Sequence, residues 1–392
     1  MKFASAMTFA TEPITAVEHL VQQTRSQLGS EKADLILLFV HPQYRETAEE
    51  LVNMLHEALG RPRLIGCTGA GVIGLESEVE KTAAISLLAG SLPHVTISTF
   101  AVTQADVEAA SDPRLWHFQL GIKPDNDLSF LLLAEPFSIQ SVRFVEEFSR
   151  AYPDRPVAGG LASGAEQPGE NLLFLDGKVL REGAVGVALK GNMQLRAMVA
   201  QGCRPIGEPL VVTRADKNIV FELGGRPPLA VLQTMLPMLS PTDQQLARTS
   251  LLIGRVINEY QEEFRQGDFL VRTLIGHDPQ SGALAVGDWM RTGQTVQFHV
   301  RDGKTADAEL RALLGKLRQD TDLMAIRGAV LFSCLGRGEG MYGTRSHDIK
   351  VLREYIGPVP TAGFFCNGEI GPVGGKTFVH GFTTVIGLFM EL

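Results

Sequence analysis

Apolar runs too short to be helices punctuate this chain, and three of them are followed by a stretch with helical spacing. Residues 34–40 read Asp-Leu-Ile-Leu-Leu-Phe-Val. A run of that length, bounded by polar positions, predicts a buried strand, parallel to a neighbour. Before it, Ile14, Val17, Leu20, Val21 and Leu28 share one face of a helix over residues 14–28. After it, Leu51, Leu55 and Leu59 mark a second helix over residues 44–59. A glycine-rich segment follows at residues 61–74. An apolar strand over 83–89 and an alternating one from Val95 to Val102 come next.

The same order returns twice. Residues 127–133 predict a strand, 141–152 a helix, 155–164 a glycine segment, and 183–189 and 195–201 further strands. Later, 328–334 predicts a strand, 348–356 a helix, 361–376 a glycine segment and 382–389 a closing strand. Each glycine segment carries Gly-x-x-x-x-Gly: Gly66 to Gly71, Gly159 to Gly164, and Gly363 to Gly368. Each has a proline just upstream: Pro62, Pro156 and Pro360. Leu35 is as far from Gly66 as Leu128 is from Gly159. Shared order, spacing and proline together predict an α/β fold of internally repeated strand–helix–Gly-turn–strand units, forming mixed sheets covered by helices.

A different region separates the second and third units. Residues 210–213 and 218–223 predict a hairpin turning at 215–218, and Gly225-Arg-Pro-Pro opens a helix. Residues 240–265 read as mostly helical. Residues 269–275, 283–286 and 295–300 read as a strand meander, and 305–320 as a helix. The paired glycines Gly224 and Gly225 suggest a boundary, giving domains of residues 1–223 and 224–392.

Composition narrows the function. Hydrophobic residues make up 44% of the 392-residue chain and charged residues 20%, ordinary for a globular protein with a full core. A net charge of −8, without a Lys/Arg run, argues against nucleic acid as a partner. No apolar segment is long enough to span a bilayer, and Glu12 and Pro13 interrupt the first apolar run too early for a signal peptide. The expectation is a cytoplasmic protein with no membrane partner. Four widely spaced cysteines (Cys67, Cys203, Cys334, Cys366) contain no Cys-x-x-Cys, which excludes zinc-ribbon and covalent-haem motifs. No His-x-x-x-His or carboxylate cluster has metal-ligand spacing, and the glycine segments lie after helices and before strands, the wrong context for a phosphate loop.

Candidate chemistry gathers near the third glycine segment. Asn367 and Glu369 lie beside Gly368, where side chains and turn N–H groups can meet a ligand. The alternative for Asn367 is self-capping of its own turn. Arg337, after the strand at 328–334, can clamp a carboxylate; its alternative is a surface ion pair with Glu339 or Asp348. Cys334, Phe364, Phe365 and Cys366 form the expected pocket wall. Cys334 or Cys366 as a nucleophile, with His347 or His380 nearby, is a rival enzyme reading. Another rival is a protein-interaction module docking on the meander at 268–301.

Leu64-Ile-Gly-Cys-Thr-Gly-Ala-Gly-Val-Ile resembles the glycine motif of the FIST N-terminal domain. Residues 328–338 and 362–371 resemble the two signature stretches of the FIST C-terminal domain, and residues 201–207 and 224–229 its linking segment. The resemblance implies a sensory module for small ligands, amino acids among them. It also implies, for some bacterial members, haem-based nitric oxide sensing. Haem needs an axial ligand, and His41, His277, His299, His347 and His380 are of the right type, with nothing in their spacing to choose among them. The first unit has Val72 where the third has Glu369, so only the third copy supplies the acid. The chain shows no kinase, cyclase or F-box segment, which implies a separate signalling partner.

Overall fold

The apolar runs at 35–40, 128–134 and 326–334 each begin a βαβ unit in the computed structural model, which describes residues 1–110 and 112–392. Repeat one runs β1 (Lys2–Thr8), α1 (Pro13–Leu28), β2 (Leu35–Val40), α2 (Ala48–Ala58), β3 (Arg63–Thr68), a hairpin of β4 (Val72–Gly74) and β5 (Ser77–Val79), and β6 (Ile85–Ser91). Repeat two runs β7 (Val95–Val102), α3 (Gln104–Ala109), α4 (Pro113–Leu120), β8 (Leu128–Ala134), α5 (Ser141–Ala151), β9 (Val157–Leu161), a hairpin of β10 (Leu173–Leu175) and β11 (Lys178–Leu180), and β12 (Ala184–Gly191). Repeat three opens with β13 (Met193–Gln201) and is then interrupted.

The insertion contains β14 (Cys203–Asp216), β15 (Ile219–Leu223), α6 (Pro228–Met235), α7 (Pro241–Ser250), β16 (Leu251–Val256), β17 (Phe269–His277), β18 (Leu284–Val286) and β19 (Thr295–Arg301). Repeat three resumes with α8 (Gly303–Asp320), β20 (Ile326–Cys334), α9 (Glu339–Tyr342), α10 (His347–Ile356), β21 (Thr361–Cys366), a hairpin of β22 (Glu369–Val373) and β23 (Lys376–His380), and β24 (Thr383–Glu391).

The three repeats build three six-stranded mixed sheets on one plan. β2 and β3, β8 and β9, and β20 and β21 are the parallel pairs. β6, β12 and β24 run antiparallel to the first strand of each pair, with β1, β7 and β13 at the outer edges. Each hairpin leaves its own repeat to extend another sheet. β4–β5 joins β21, β10–β11 joins β3, and β22–β23 joins β9. The exchange is cyclic and ties all three repeats together.

The strands of the parallel pairs are buried on both faces, which explains their unbroken apolar runs. Leu37 and Phe39, Leu131 and Leu133, Phe332 and Phe364 face a shared central core. Ile36 and Leu38 turn to a separate cluster against α1 and α2, Phe130 and Leu132 to one against α5, and Ala329 and Leu331 to one with α10. Phe39 stacks on Phe364 at 5.0 Å and meets Phe332 edge-on at 6.2 Å, so rings from two repeats interlock. One hydroxyl adds a polar link. Ser163 Oγ, after β9, accepts from Ala70 N, after β3, at 2.9 Å and donates to Phe365 O in β21.

Packing divides the chain into two compact units: Met1–Ala200 with Leu310–Val379 and Thr383–Leu392, and Gln201–Glu309 with His380–Phe382. The expected division at residue 223 follows sequence order, whereas that residue ends β15 inside the second unit. The hairpin exchange is why the third repeat belongs with the first two. The second unit holds a closed barrel in the order β14-β15-β18-β17-β16-β19. Its first hairpin matches expectation, with Lys217 at φ +53° in the turn. Residues 251–256, expected to be helical, are strand β16, paired with both β17 and β19. Closing the barrel requires that strand, and the short run Leu251-Leu-Ile satisfies either state locally.

Candidate functional site

The glycine segment at 361–376 is mostly strand. Residues 361–366 form β21, and the turn is only Asn367 and Gly368 before β22 begins at Glu369. The first glycine of the motif is not a turn residue in any repeat. A Cβ on Gly66 would lie 2.1 Å from Leu38 O, on Gly159 1.9 Å from Leu132 O, and on Gly363 2.0 Å from Leu331 O. All three glycines let the second strand of a parallel pair approach the first, a requirement met by absence of a side chain rather than by positive φ. The last glycine does turn in two repeats, with φ +92° at Gly164 and +149° at Gly368.

Strand alternation then splits the expected pocket wall. Phe364 and Cys366 face the central core, while Phe365 faces the cluster shared with α10. The two phenylalanines are on opposite faces of one sheet and line no common cavity. Cys334 is the register partner of Cys366 across the parallel pair, just as Phe332 is of Phe364. Cys366 is fully buried and Cys334 half-buried. Asn367 is exposed; its backbone N–H donates to Leu161 O at 3.1 Å.

Arg337 does pair with Asp348, and the pair is buried rather than on the surface. Nε donates to Oδ2 at 2.7 Å and Nη2 to Oδ1 at 3.1 Å, with both side chains at most 2% exposed. Asp348 is in the first turn of α10, where the helix dipole also favours its charge. The Arg337 charge and the His347 hydrogen bond hold the Asp348 carboxyl below its usual range despite burial. Ser333 Oγ donates to Asp348 Oδ2 at 3.3 Å, and Tyr342, which accepts from Arg337 Nη2, stacks on His347 at 3.5 Å. The carboxylate clamp of Arg337 is therefore already filled from within the chain.

Glu369 is fully buried at the start of β22. Its Oε2 accepts from Thr383 N at 3.1 Å and Thr383 Oγ1 at 2.9 Å. Burial pushes its pKa up to about 8, although Thr383, Arg337 and the Cys334 thiol favour the charged form. Arg337 Nη1 and Glu369 Oε1 are both buried without a hydrogen-bond partner among the described residues. One is a donor and the other an acceptor, and the two side chains interact electrostatically.

Sequence reasoning missed Glu78. From β5 its Oε1 accepts from Ile349 N at 2.8 Å, capping α10 from another repeat. Burial, with the Asp348 charge adding to it, raises Glu78 to about 7. Glu80, two positions on, accepts from Glu339 N at 2.8 Å. The alternation Glu78-Val-Glu80 is visible in the sequence, but its target is set by the hairpin exchange. Asp348 had one local signal, its place in the first turn of a predicted helix.

Comparison with known proteins identifies the family. Residues 34–226 match the FIST N domain and residues 228–372 the FIST C domain. This chain belongs to the FIST family. FIST domains are associated with sensory signal transduction. An uncharacterized protein of Mycobacterium tuberculosis is 35% identical over 391 residues, covering 100% of both chains. An uncharacterized protein of Mycobacterium bovis is 36% identical over 370 residues, covering 94% of each. Among solved structures, a cyanuric acid hydrolase from A. caulinodans aligns over 98% of both chains, with 10% identity and a TM-score of 0.38.

Two of the five candidate axial histidines, His299 and His347, are held by packing within the chain. His299 bonds Gln297 O through Nδ1 at 3.0 Å and meets Phe269 edge-on at 4.8 Å, and its ring is packed so close to Gly254 that a Cβ there would lie 2.4 Å away. One face of His347 is covered by Tyr342, and His41 Nδ1 accepts from Gln43 N. His277 is exposed on β17 and His380 is buried at the end of β23. A cleft of about 720 Å³ is lined by charged residues, including Arg25, Lys32, Glu57, Arg63 and Asp176, together with His56 and Leu59. On the meander, β17 buries Phe269, Leu270 and Val271 while Ile275 and Trp289 are exposed. Among the described residues, no helix is long and apolar enough to cross a membrane.

Proposed function

We propose that this FIST protein senses a small metabolite carrying both an amino group and a carbonyl or carboxylate oxygen, of amino-acid size. The ligand docks where β20 and β21 end, between Arg337 and Glu369. The observation that carries this reading is a pair of buried atoms with no hydrogen-bond partner among the described residues, Arg337 Nη1 and Glu369 Oε1. A buried polar group left without a partner costs about 1–3 kcal/mol, and a ligand that satisfies both recovers that free energy.

The chemistry sets the ligand class. Asp348 occupies the Nε–Nη2 fork of Arg337, so the nitrogen left to hold a ligand oxygen is Nη1 with its two N–H groups. Glu369 is buried without a neighbouring ammonium, and a ligand amine would restore its charge and lower its raised pKa. Ligand binding at strand ends where units meet is the ordinary location for such sheets. Signalling then passes to a separate protein partner.

Thermal-shift measurement across amino acids and small amides tests the reading. At least one amine-bearing member should raise Tm, and the shift should vanish in Glu369→Gln and shrink in Arg337→Lys. A wild-type protein that responds to none of them sinks the proposal.

A further inference from the structure

The thiols at the end of β20 and β21 go beyond ligand sensing. Cys334 and Cys366 are register partners on adjacent parallel strands, and Phe332 and Phe364, one pleat earlier on each strand, face the same core. Neighbouring strands lie about 4.8 Å apart, inside the roughly 4.4–6.8 Å window for the Cα atoms of a disulfide. Gly336 after one cysteine and the Asn367–Gly368 turn after the other leave both strand ends room to adjust. The two thiols differ in access: Cys334 is half-buried and Cys366 wholly buried.

The surroundings of Cys334 suit a reactive thiolate. Gly336 N donates to its sulfur at 3.5 Å, and the Arg337 guanidinium is close enough to interact with its charge. Glu369 is beside it, with its carboxyl within hydrogen-bond reach of the thiol. A cation, a backbone donor, a carboxylate and a second thiol thus converge on one sulfur. This is more than a lone cysteine in a strand requires.

We infer that Cys334 and Cys366 form a peroxide-responsive thiol pair, with Cys334 oxidised first and Cys366 closing the disulfide. The Cys334 proton passes to Glu369. The thiolate attacks one oxygen of a hydroperoxide, the O–O bond breaks, and the departing oxygen takes the proton back as water or an alcohol. Cys334 is then a sulfenic acid. The Cys366 sulfur attacks it, the S–O bond breaks, and the hydroxyl leaves with the Cys366 proton as water. One peroxide is reduced by two electrons and two thiols become one disulfide.

The test uses the full chain and hydrogen peroxide, without any amino acid present, so that its outcome is independent of ligand binding. Peptide mapping after brief oxidation should find a Cys334–Cys366 disulfide that dithiothreitol reverses, with Cys67 and Cys203 still thiols. Cys366→Ala should stop at a sulfenic acid on Cys334, trapped by dimedone. Glu369→Gln should slow disulfide formation about tenfold or more. Cys366 is buried, so circular dichroism must first show that its variant is folded; the wild-type map stands in either case. The inference is overturned if Cys334 remains a thiol under conditions that oxidise an exposed reference thiol. It is equally overturned if the disulfide that forms joins a different pair.

Discussion

Glu78 caps α10 by accepting a hydrogen bond from Ile349 N, 2.8 Å away and 271 positions along the chain. The carboxyl arrives on a hairpin lent by repeat one to the sheet of repeat three. Its pKa is raised to about 7 by burial and by Asp348. Between the unfolded value of 4.5 and about 7, the folded chain therefore holds a proton that the unfolded chain has released. The Glu78 contribution to stability is present at low pH and declines as pH rises through that window. Glu369, raised to about 8, acts in the same direction. The expected outcome is that Glu78→Gln matches wild type in Tm near pH 4 and exceeds it by pH 8. A Tm difference that is flat across that range rejects the assignment.

The buried pair Arg337–Asp348 should be intolerant of losing one partner. Removing one member leaves the other charged, buried and uncompensated, which typically costs about 3–5 kcal/mol. Urea unfolding of Arg337→Ala and Asp348→Ala should both show losses of this order, and the double variant should lose less than their sum.

The single hydroxyl of Ser163 bonds two other repeats at once. Ser163→Ala leaves Ala70 N without that partner in a fully packed site, a loss of about 1–3 kcal/mol. Ser163→Thr keeps the hydroxyl and adds a methyl group. Denaturant midpoints at equal m-value separate the lost bond from overpacking.

Gly66, Gly159 and Gly363 should fail alike. Alanine at any of them drives a Cβ to within 2.1 Å of a backbone carbonyl that cannot move aside. Each substitution should destabilise by about 3 kcal/mol or more, if the protein folds at all. Gly340→Ala is the control. Nothing lies within 4 Å of its Cβ position, it is within α9, and it should stay within about 0.5 kcal/mol of wild type.

The repeat plan was legible because it is carried by local signals. The doubly buried strands read as unbroken apolar runs, and the close-approach glycine recurs at one place in each unit. What the sequence concealed was pairing at a distance. Nothing in Ser77-Glu-Val79 names β21 as the sheet it will extend. The reading of residues 361–376 as a turn failed for a related reason: glycine was taken as a signal for positive φ, whereas at Gly363 it marks the approach of a neighbouring strand. That error placed Phe364 and Phe365 on one wall, which the pleat forbids. Arg337 and Glu369 were singled out as polar groups near a strand end, and Asp348 was one of two ion-pair partners foreseen for the arginine; that the pair is buried and not on the surface depended on where α10 packs.

The exchange of hairpins also dictates when this protein can finish folding. As the chain is synthesised, repeats one and two contain every strand of one sheet, because β10–β11 can join β3 as soon as both exist. The hairpin β4–β5 must wait for β21, made almost 300 residues later, and β9 keeps an open edge until β22 and β23 follow. An unpaired edge is a template for the wrong partner, and contacts so far apart in sequence form slowly. A nascent chain halted after the second repeat thus has one finished sheet, one unfinished sheet and one hairpin with nowhere to go. Its safe passage depends on the late emergence of the third glycine segment, the same residues that hold Cys366 and Glu369.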